Sequence, residues 1–189
     1  MEFDAVVIGA GPAGAMAARQ LAAAGWAVAL VEKSEFPRTK VCGEFLSAPS
    51  LAILGDLAGA FRAKAGPPVT RIGLFAGEIQ VTAKAPGAVW GHALNRAVLD
   101  TLLRDAAVEA GATLFQPQEV TAFSRHNDAW RVELEGATLT APVVIAASGS
   151  WRVTPPFAVR APERDSDLLA FKAHFSGDHL AEGVMPLLA

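Results

Sequence analysis

Residues 3–32 read FDAVVIGAGPAGAMAARQLAAAGWAVALVE, and the fold class can be inferred from them. Residues 3–8 are an apolar, β-branched run, which is typical of a strand buried on both faces. Residues 13–24 are rich in alanine and predict a helix that ends at Gly25. Residues 26–31 predict a second buried strand. The order strand, helix, strand is that of a βαβ unit, so we expect two parallel strands with a right-handed crossover.

The loop that joins the first strand to the helix matches the pattern G-x-G-x-x-G. Its residues are Gly9, Ala10, Gly11, Pro12, Ala13 and Gly14. In this pattern the first glycine permits a tight turn, the second lets the backbone approach a pyrophosphate, and the third lets the helix pack closely on the strand. The N-terminus of the helix then offers unpaired N–H groups and a positive dipole end to phosphate. The loop therefore predicts a dinucleotide-binding site.

An acidic residue ends the second strand. Glu32 lies 18 residues after Gly14, near the spacing at which a carboxylate binds the ribose hydroxyls of a dinucleotide. A carboxylate there would repel a 2′-phosphate, so we expect FAD or NAD rather than NADP. A glycine-rich turn followed by a surface glutamate is the alternative interpretation of the same residues.

The rest of the chain predicts one long helix and several strands. Helical periodicity over residues 95–110 indicates an amphipathic helix with Asn95 as its N-cap. Alternating and buried apolar runs indicate strands in the remaining segments. The other predicted elements are a loop over 34–47, a helix over 49–61 with Ser47 or Ser50 near its start, a hairpin over 69–83, a short strand over 113–115, an antiparallel meander over 119–140, and strands over 143–147 and 168–175.

Composition excludes several classes of protein. The chain has 189 residues, of which 52% are hydrophobic and 19% charged, with a net charge of −3, so neither disorder nor nucleic-acid binding is expected. One cysteine excludes a disulfide framework, and the four histidines lack metal-ligand spacing, so no metal is expected. The longest apolar run is too short for a transmembrane helix, and Glu2 and Asp4 do not suit a signal peptide. We expect a cytoplasmic protein.

Three segments resemble FAD-dependent oxidoreductases with the para-hydroxybenzoate hydroxylase fold. The first is DAVVIGAGPAG at residues 4–14, together with Glu32-Lys33. The second, FPRTKVCGE at residues 36–44, is similar to a loop of the geranylgeranyl reductase family and of related flavin-dependent halogenase-like proteins. The third, HALNR at residues 92–96, resembles the second flavin segment of that group. The resemblance implies an α/β fold: a Rossmann-like FAD-binding domain with a parallel sheet and an antiparallel meander, plus part of an interleaved substrate-domain β-sheet.

The resemblance also assigns cofactor roles to individual residues. Glu32 matches the ribose-binding acid and Lys33 the basic residue near the adenine. Arg96 matches an arginine that contacts the diphosphate and ribityl region, and Val120 a position whose backbone contacts adenine. The complete set of cofactor-binding residues implied is Gly9, Gly11, Pro12, Ala13, Gly14, Glu32, Lys33, Cys42, Gly43, Arg96, Val120 and Gly149.

Two positions carry open alternatives. Cys42 and Gly43 match a loop beside the isoalloxazine ring, where Cys42 is either a redox or positioning residue or a small buried hydrophobe. At the end of the strand over 143–147 the family has an Asp-Gly pair, but this chain has Ser148-Gly149. The glycine still allows a contact through its backbone, whereas the contact that the aspartate side chain would make is lost.

The resemblance implies an FAD-dependent oxidoreductase acting on an apolar or aromatic small molecule. The reaction is either reduction of a double bond or oxygen-dependent hydroxylation or halogenation, with NAD(P)H as the candidate external reductant. The alternative is a non-catalytic or inactive dinucleotide-binding module, because nothing after Gly149 matches the later flavin segment of the family.

The domain boundaries follow from the same resemblance. Residues 1–64 and 89–155 are expected to form the FAD-binding domain, and residues 65–88 and 156–189 part of a substrate domain. We therefore expect an N-terminal fragment of a protein roughly twice as long. Such a fragment would bind FAD weakly or not at all and would self-associate through unpaired strand edges.

Overall fold

The computed structural model describes residues 1–84, 87–149, 172–174, 177 and 181–188. The chain divides into two compact units, one of Met1–Thr39 with Leu99–Leu168 and the other of Lys40–Val98 with Leu169–Ala189. The predicted boundaries between an FAD-binding and a substrate domain stay a prediction.

The helices and strands follow one another along the chain. The strands are β1 (Ala5–Ile8), β2 (Val28–Val31), β3 (Phe45–Ser47), β4 (Pro68–Val69), β5 (Arg71–Ala76), β6 (Ile79–Lys84), β7 (Gly91–Ala93), β8 (Thr113–Phe115), β9 (Val120–His126), β10 (Ala129–Leu134), β11 (Ala137–Ala141), β12 (Val143–Ala146) and β13 (Val184–Leu188). The helices are α1 (Pro12–Ala23), α2 (Ala48–Ile53), α3 (Ala58–Lys64) and α4 (Arg96–Glu109), with a 3₁₀ turn at Gly55–Leu57.

A parallel sheet with the order β12-β1-β2-β8 forms the centre of the first unit. Every residue of β1 and β2 is buried, as their continuous apolar runs predict. The two strands pair in parallel and are joined through α1, so the βαβ unit is confirmed. The first unit also contains the predicted antiparallel meander, in which β10 lies between β9 and β11.

The parallel sheet is buried between two layers. On one face Val6 and Val31 pack with Val132 and Leu139 of the meander. On the other face Val7 and Leu30 pack with alanines of α1 and α4, namely Ala18, Ala22 and Ala107. Small alanine side chains let both helices approach the sheet closely. The α/β fold implied by the resemblance, with a parallel sheet and an antiparallel meander, is confirmed.

The second unit contains two smaller sheets among its described residues. One has the order β13-β5-β6, in which β13 is parallel to β5 and β6 is antiparallel to it, as the predicted hairpin requires. The other has the order β3-β7-β4 and is antiparallel. Neither β3, within the predicted loop over 34–47, nor β7 was predicted.

Two other predictions differ from the structure. The helix predicted over 49–61 is divided into α2 and α3, because Gly55 adopts a left-handed φ of 56° at the start of the 3₁₀ turn between them. The strand predicted over 168–175 lies mostly outside the described residues, and its described part, 172–174, is not a strand. Among the helices that the structure describes, none is long and apolar enough to cross a bilayer.

Candidate functional site

Two glycines of the G-x-G-x-x-G motif, Gly9 before α1 and Gly14 within it, are required by packing within the first unit. Gly9 has a φ of 102°, and a Cβ there would lie 2.5 Å from the carbonyl oxygen of Ala147, just after β12. A Cβ on Gly14 would overlap the carbonyl oxygen of Gly9. Both glycines therefore hold the loop tightly against neighbouring backbone, as the first and third glycines of the motif are expected to do.

The second glycine of the motif is different. Gly11 has φ −70° and ψ 178°, a conformation that any residue adopts. In the part of the chain that the structure describes, a Cβ there would meet only Nη2 of Arg38, at an ordinary contact distance of 3.7 Å. Neither the backbone conformation nor close packing requires a glycine at this position. The space beside Gly11 is therefore free for a ligand to approach the backbone.

Helix α1 begins directly after Gly11. Gly11 is its N-cap, Pro12 occupies the first turn, and no side chain caps the helix. The first N–H groups of a helix have no partner within it. In a site open to a ligand, these groups and the positive end of the helix dipole favour an anion such as a phosphate.

The carboxylate of Glu32, directly after β2, is buried at 3% exposure. Its Oε2 accepts a hydrogen bond of 2.9 Å from the N–H of Ala10. Its Oε1 accepts bonds from the N–H of Ser34 at 2.9 Å and from Nη1 of Arg38 at 2.7 Å. Three donors therefore hold this side chain beside the glycine loop, and the interpretation of Glu32 as a surface residue is wrong.

Sequence reasoning missed Arg38. Its guanidinium bonds to Glu32, its Nε lies 3.4 Å from Oδ2 of Asp100 on α4, and it lies 4.5 Å from the centre of the Phe36 ring. Arg38 lies in a segment without periodicity, so no pattern indicated that its side chain would be held. The one feature of the sequence that could have indicated the contact is the basic residue six positions after Glu32.

The other predicted residues of the first unit have simpler surroundings. Lys33 is exposed, and Val120 begins β9, where it pairs with Leu134. Gly149 has a φ of 88°, and no described residue other than its neighbours in the chain lies within 4 Å of the position that a Cβ there would take. These positions are compatible with the roles implied by the resemblance, and those roles stay predictions.

In the second unit, Glu44 connects several segments. Its carboxylate accepts hydrogen bonds from the N–H of Arg96 at 3.1 Å and from Nζ of Lys172. The carboxylate is also hydrogen-bonded to Nε2 of His174, at 3.0 Å. Its carbonyl oxygen accepts a bond of 2.8 Å from the N–H of Leu94. Glu44 also has a φ of 52°, which is uncommon for a residue other than glycine.

The pKa of Glu44 reflects these contacts. Burial alone would raise the pKa of this carboxyl. The hydrogen bonds from Lys172, from the Arg96 N–H and from His174 outweigh that effect, so the pKa lies below its ordinary value of 4.5. Glu44 is therefore ionised at neutral pH and anchors residues 172–174 to the loop that contains it.

Cys42 lies close to this anchor. Its Sγ accepts a hydrogen bond of 3.4 Å from the N–H of Glu44, and the thiol is partly buried. An open pocket of about 480 Å³ is lined by Val41, Cys42, Gly43, Glu44, Lys172, Ala173 and His174. The structure brings Cys42 and Gly43 together at this pocket. Arg96 is linked to it through its own N–H and Glu44.

A buried parallel sheet, a glycine loop with an open second glycine, and a buried acid at the end of the second strand define a dinucleotide-binding α/β domain. Comparison with known families agrees over nearly the whole chain. Residues 2–178 match the family described as FAD binding domain, and the chain belongs to it. The cofactor predicted from the resemblance, FAD, is thereby confirmed.

Relatives of the chain include reductases. The chain is 38% identical over 159 residues to digeranylgeranylglycerophospholipid reductase 1 of Methanopyrus kandleri, covering 79% of this chain and 40% of that protein. It is 34% identical over 135 residues to menaquinone reductase of Mycobacterium tuberculosis, covering 68% of this chain and 32% of that protein. The chain therefore spans between a third and two fifths of the length of these relatives.

A solved structure agrees with the fold. A geranylgeranyl bacteriochlorophyll reductase-like protein of Thermoplasma acidophilum superposes with a TM-score of 0.65 at 25% identity, covering 78% of this chain and 39% of that one. A flavin-dependent brominase superposes with a TM-score of 0.63 at 23% identity, which shows the fold alone. The resemblance to the geranylgeranyl reductase-like group is confirmed.

Proposed function

We propose that this chain carries the FAD-binding part of an oxidoreductase that acts on an apolar small molecule. The observation that carries the proposal is the buried Glu32 carboxylate, held by three donors beside the open position at Gly11. A carboxylate suits the two hydroxyls of a ribose, and open backbone at a helix N-terminus suits a diphosphate.

The residues of the first unit fit the adenosine diphosphate part of FAD. In this proposal Glu32 accepts hydrogen bonds from the ribose, and the backbone at Gly11 and Ala13 approaches the diphosphate. Lys33 lies next to Glu32 and adds positive charge near the adenine. Gly9 and Gly14 act indirectly, because their missing side chains let the loop adopt its shape.

The second unit supplies the residues to which the resemblance gives flavin roles. FAD, when bound, supplies the transfer of a hydride or of single electrons. Gly43 lacks a side chain and would let backbone approach a ring, whereas Cys42 would pack beside it. Glu44 would keep this loop in place through its bonds to residues on either side of the pocket. Arg96 keeps its proposed role at the diphosphate and ribityl region.

An apolar sheet face supports an apolar substrate. In the β13-β5-β6 sheet, paired residues share a face, and one face carries only Met185, Leu187, Ile72, Leu74, Ala76, Ile79, Val81 and Ala83. Leu74, Ile79, Val81 and Leu187 are between 42% and 66% exposed. Contiguous exposed apolar surface of this kind often marks a binding site.

Reduction is the reaction that the relatives favour. Two relatives at 34% and 38% identity are named reductases, whereas the brominase shares only 23% identity and supports the fold alone. The names menaquinone and digeranylgeranylglycerophospholipid both describe apolar molecules. We therefore place double-bond reduction before hydroxylation or halogenation, with NAD(P)H as the proposed external reductant.

A non-catalytic dinucleotide-binding module is the second candidate. The pair Ser148-Gly149 favours it, because a hydroxyl replaces the carboxylate that the family has at this position. The two candidates differ in one measurement. Bound flavin that NAD(P)H or dithionite reduces, and that a quinone or an unsaturated lipid reoxidises, supports the oxidoreductase. Flavin that binds but never exchanges electrons supports the module.

Titration of the chain with FAD tests the proposal. Binding is followed by the quenching of flavin fluorescence, in the wild type and in Glu32→Gln. The variant loses one acceptor oxygen and the charge, so its affinity should fall by at least about tenfold. Glu35→Gln is the matched control, because Glu35 is exposed and three residues away. The wild type is expected to bind FAD weakly, as a fragment would, and a Glu32→Gln variant that binds as tightly as the wild type would overturn the proposal.

Cys42→Ala separates the two roles left open for the thiol. If Cys42 acts on the bound flavin or substrate, the variant keeps its FAD affinity while its turnover falls. An unchanged turnover would show that Cys42 only fills space. A weaker FAD affinity would show instead that it positions the Glu44 loop, through the bond between its Sγ and the Glu44 N–H.

A further inference from the structure

Asp100 has a property that the cofactor motif does not explain. It lies on α4, in the first unit, and its side chain is completely buried. An ionised carboxylate removed from water needs a positive partner, and Nε of Arg38 lies 3.4 Å from its Oδ2. This distance is an ion-pair contact without hydrogen-bond geometry. Charge attraction rather than a directed bond therefore links Asp100 to Arg38.

Arg38 in turn links Asp100 to the ribose-binding acid. Its side chain is 13% exposed, and its Nη1 donates a bond of 2.7 Å to Oε1 of Glu32. One guanidinium thus contacts two buried carboxylates. Because its fork is planar and rigid, fixing the Nε side at Asp100 also fixes where Nη1 meets Glu32.

The same guanidinium reaches the glycine loop. Among the described residues, its Nη2 is the atom that would meet a Gly11 side chain, at 3.7 Å. The ring of Phe36 packs against the guanidinium at 4.5 Å and limits its movement. Arg38 is therefore held beside both parts of the proposed nucleotide site, the acid and the open backbone.

We infer that Asp100 is a positioning residue for the adenosine half of the cofactor, acting through Arg38 on Glu32 without touching the nucleotide itself. This inference rests on the proposed function, since it concerns the same site. It adds a residue on α4 that the glycine motif and the acid do not include. Without Asp100, Arg38 would lose one of two anchors, and Glu32 would lose its fixed orientation toward a ribose.

The test compares two fragments of the cofactor. ADP contains the adenosine ribose and FMN does not, so Asp100→Asn should weaken ADP binding about tenfold, about 1.4 kcal/mol, and leave FMN binding within about twofold. Asp105→Asn is the matched control, because Asp105 also lies on α4 and pairs with an arginine, Arg104, but is half exposed. Affinities are measured by calorimetry on the 189-residue chain.

A coupling measurement distinguishes positioning from a general loss of charge. Arg38→Lys keeps the charge but cannot span two carboxylates, so it should weaken ADP binding by itself. Adding Asp100→Asn to Arg38→Lys should then change the affinity by less than about twofold. If the two substitutions have independent effects, or if Asp105→Asn weakens ADP as much as Asp100→Asn, the inference is overturned.

A readout without nucleotide separates failure of the inference from failure of the proposed function. The N–H of Ala10 bonds to Glu32, so its amide resonance reports the position of that carboxylate. The resonance should shift in Asp100→Asn and in Arg38→Lys, but not in Asp105→Asn. No ADP binding by the wild type would overturn the proposed function, whereas an unmoved Ala10 resonance would overturn the inference. If Asp100→Asn does not fold, the Ala10 resonance of Arg38→Lys is the test, and an unmoved resonance in that variant would overturn the inference.

Discussion

The same substitution at three glycines should have three different results. A Cβ on Gly11 would meet only Nη2 of Arg38 at 3.7 Å, whereas a Cβ on Gly14 would overlap the backbone oxygen of Gly9. Gly59, on α3, has open space around it and an ordinary helical conformation. Gly→Ala at these positions therefore separates a glycine kept for a ligand, a glycine kept for packing and a glycine kept for neither.

The expected magnitudes follow from these surroundings. At Gly11, a helix N-cap, alanine costs about 0.5–1 kcal/mol as a poorer cap and gains a similar amount by restricting the unfolded chain, so stability should stay within about 1 kcal/mol. Gly14→Ala forces α1 away from the loop and should cost about 1–3 kcal/mol or more. Gly59→Ala should gain about 0.5–1 kcal/mol in helix propensity.

FAD binding should rank the variants differently. The methyl group of Gly11→Ala occupies the space proposed for the diphosphate, so the affinity should fall at least about tenfold, about 1.4 kcal/mol. Gly59→Ala should bind as the wild type does. Urea unfolding followed by circular dichroism gives the stabilities, and quenching of flavin fluorescence gives the affinities. A Gly11→Ala variant that binds FAD normally, or that loses as much stability as Gly14→Ala, would contradict the role assigned to Gly11.

Three further predictions concern other parts of the chain. Because the folded pKa of Glu44 is below 4.5, its ionised form stabilises the chain above that pH and this contribution disappears as the pH falls through the lowered pKa; Glu44→Gln should therefore reduce urea stability at neutral pH, and a loss that persisted in acid would contradict this. Val81→Lys should reduce self-association in sedimentation experiments, because Val81 lies on the apolar face of β6, and Thr82→Lys, on the opposite face, should not. Leu139→Ala should cost about 2–5 kcal/mol, because Leu139 is completely buried, whereas Leu187→Ala, at a residue 42% exposed, should cost much less.

The sequence predicted those parts of the fold that repeat a simple pattern. The buried runs of β1 and β2, the alternation of the meander and the helical period of α4 each extend over several residues. Local chemistry also predicted two caps. The N–H of Ala97 bonds to Oδ1 of Asn95 at 2.7 Å, and the N–H of Ser50 bonds to Oγ of Ser47 at 3.3 Å. Each of these contacts joins residues that are two or three positions apart, so the local sequence is enough to predict it.

The parts that could not be predicted depend on distant partners. β13 contains Pro186, which argues against a strand, yet β13 lies at the edge of its sheet where a missing N–H is tolerated. Arg38 is held by Glu32 and Asp100, and Asp100 is far away in sequence. The motif predicted the acid and the loop of the candidate site, because their spacing is fixed by one βαβ unit. It did not predict the arginine, because Arg38 lies in a segment without periodicity and one of its two carboxylate partners, Asp100, is on α4.

The pairing of β12 with β1 has a consequence for synthesis of the chain. β1, α1 and β2 leave the ribosome before β12, so the edge of β1 that pairs with β12 has no partner until β12 follows. The shape of the turn at Gly9 also depends on the close approach of Ala147. At a rate of synthesis of about 5–20 residues per second, on the order of ten seconds pass between the synthesis of the βαβ unit and that of β12. During this interval an unpaired apolar edge is available to chaperones or to another nascent chain.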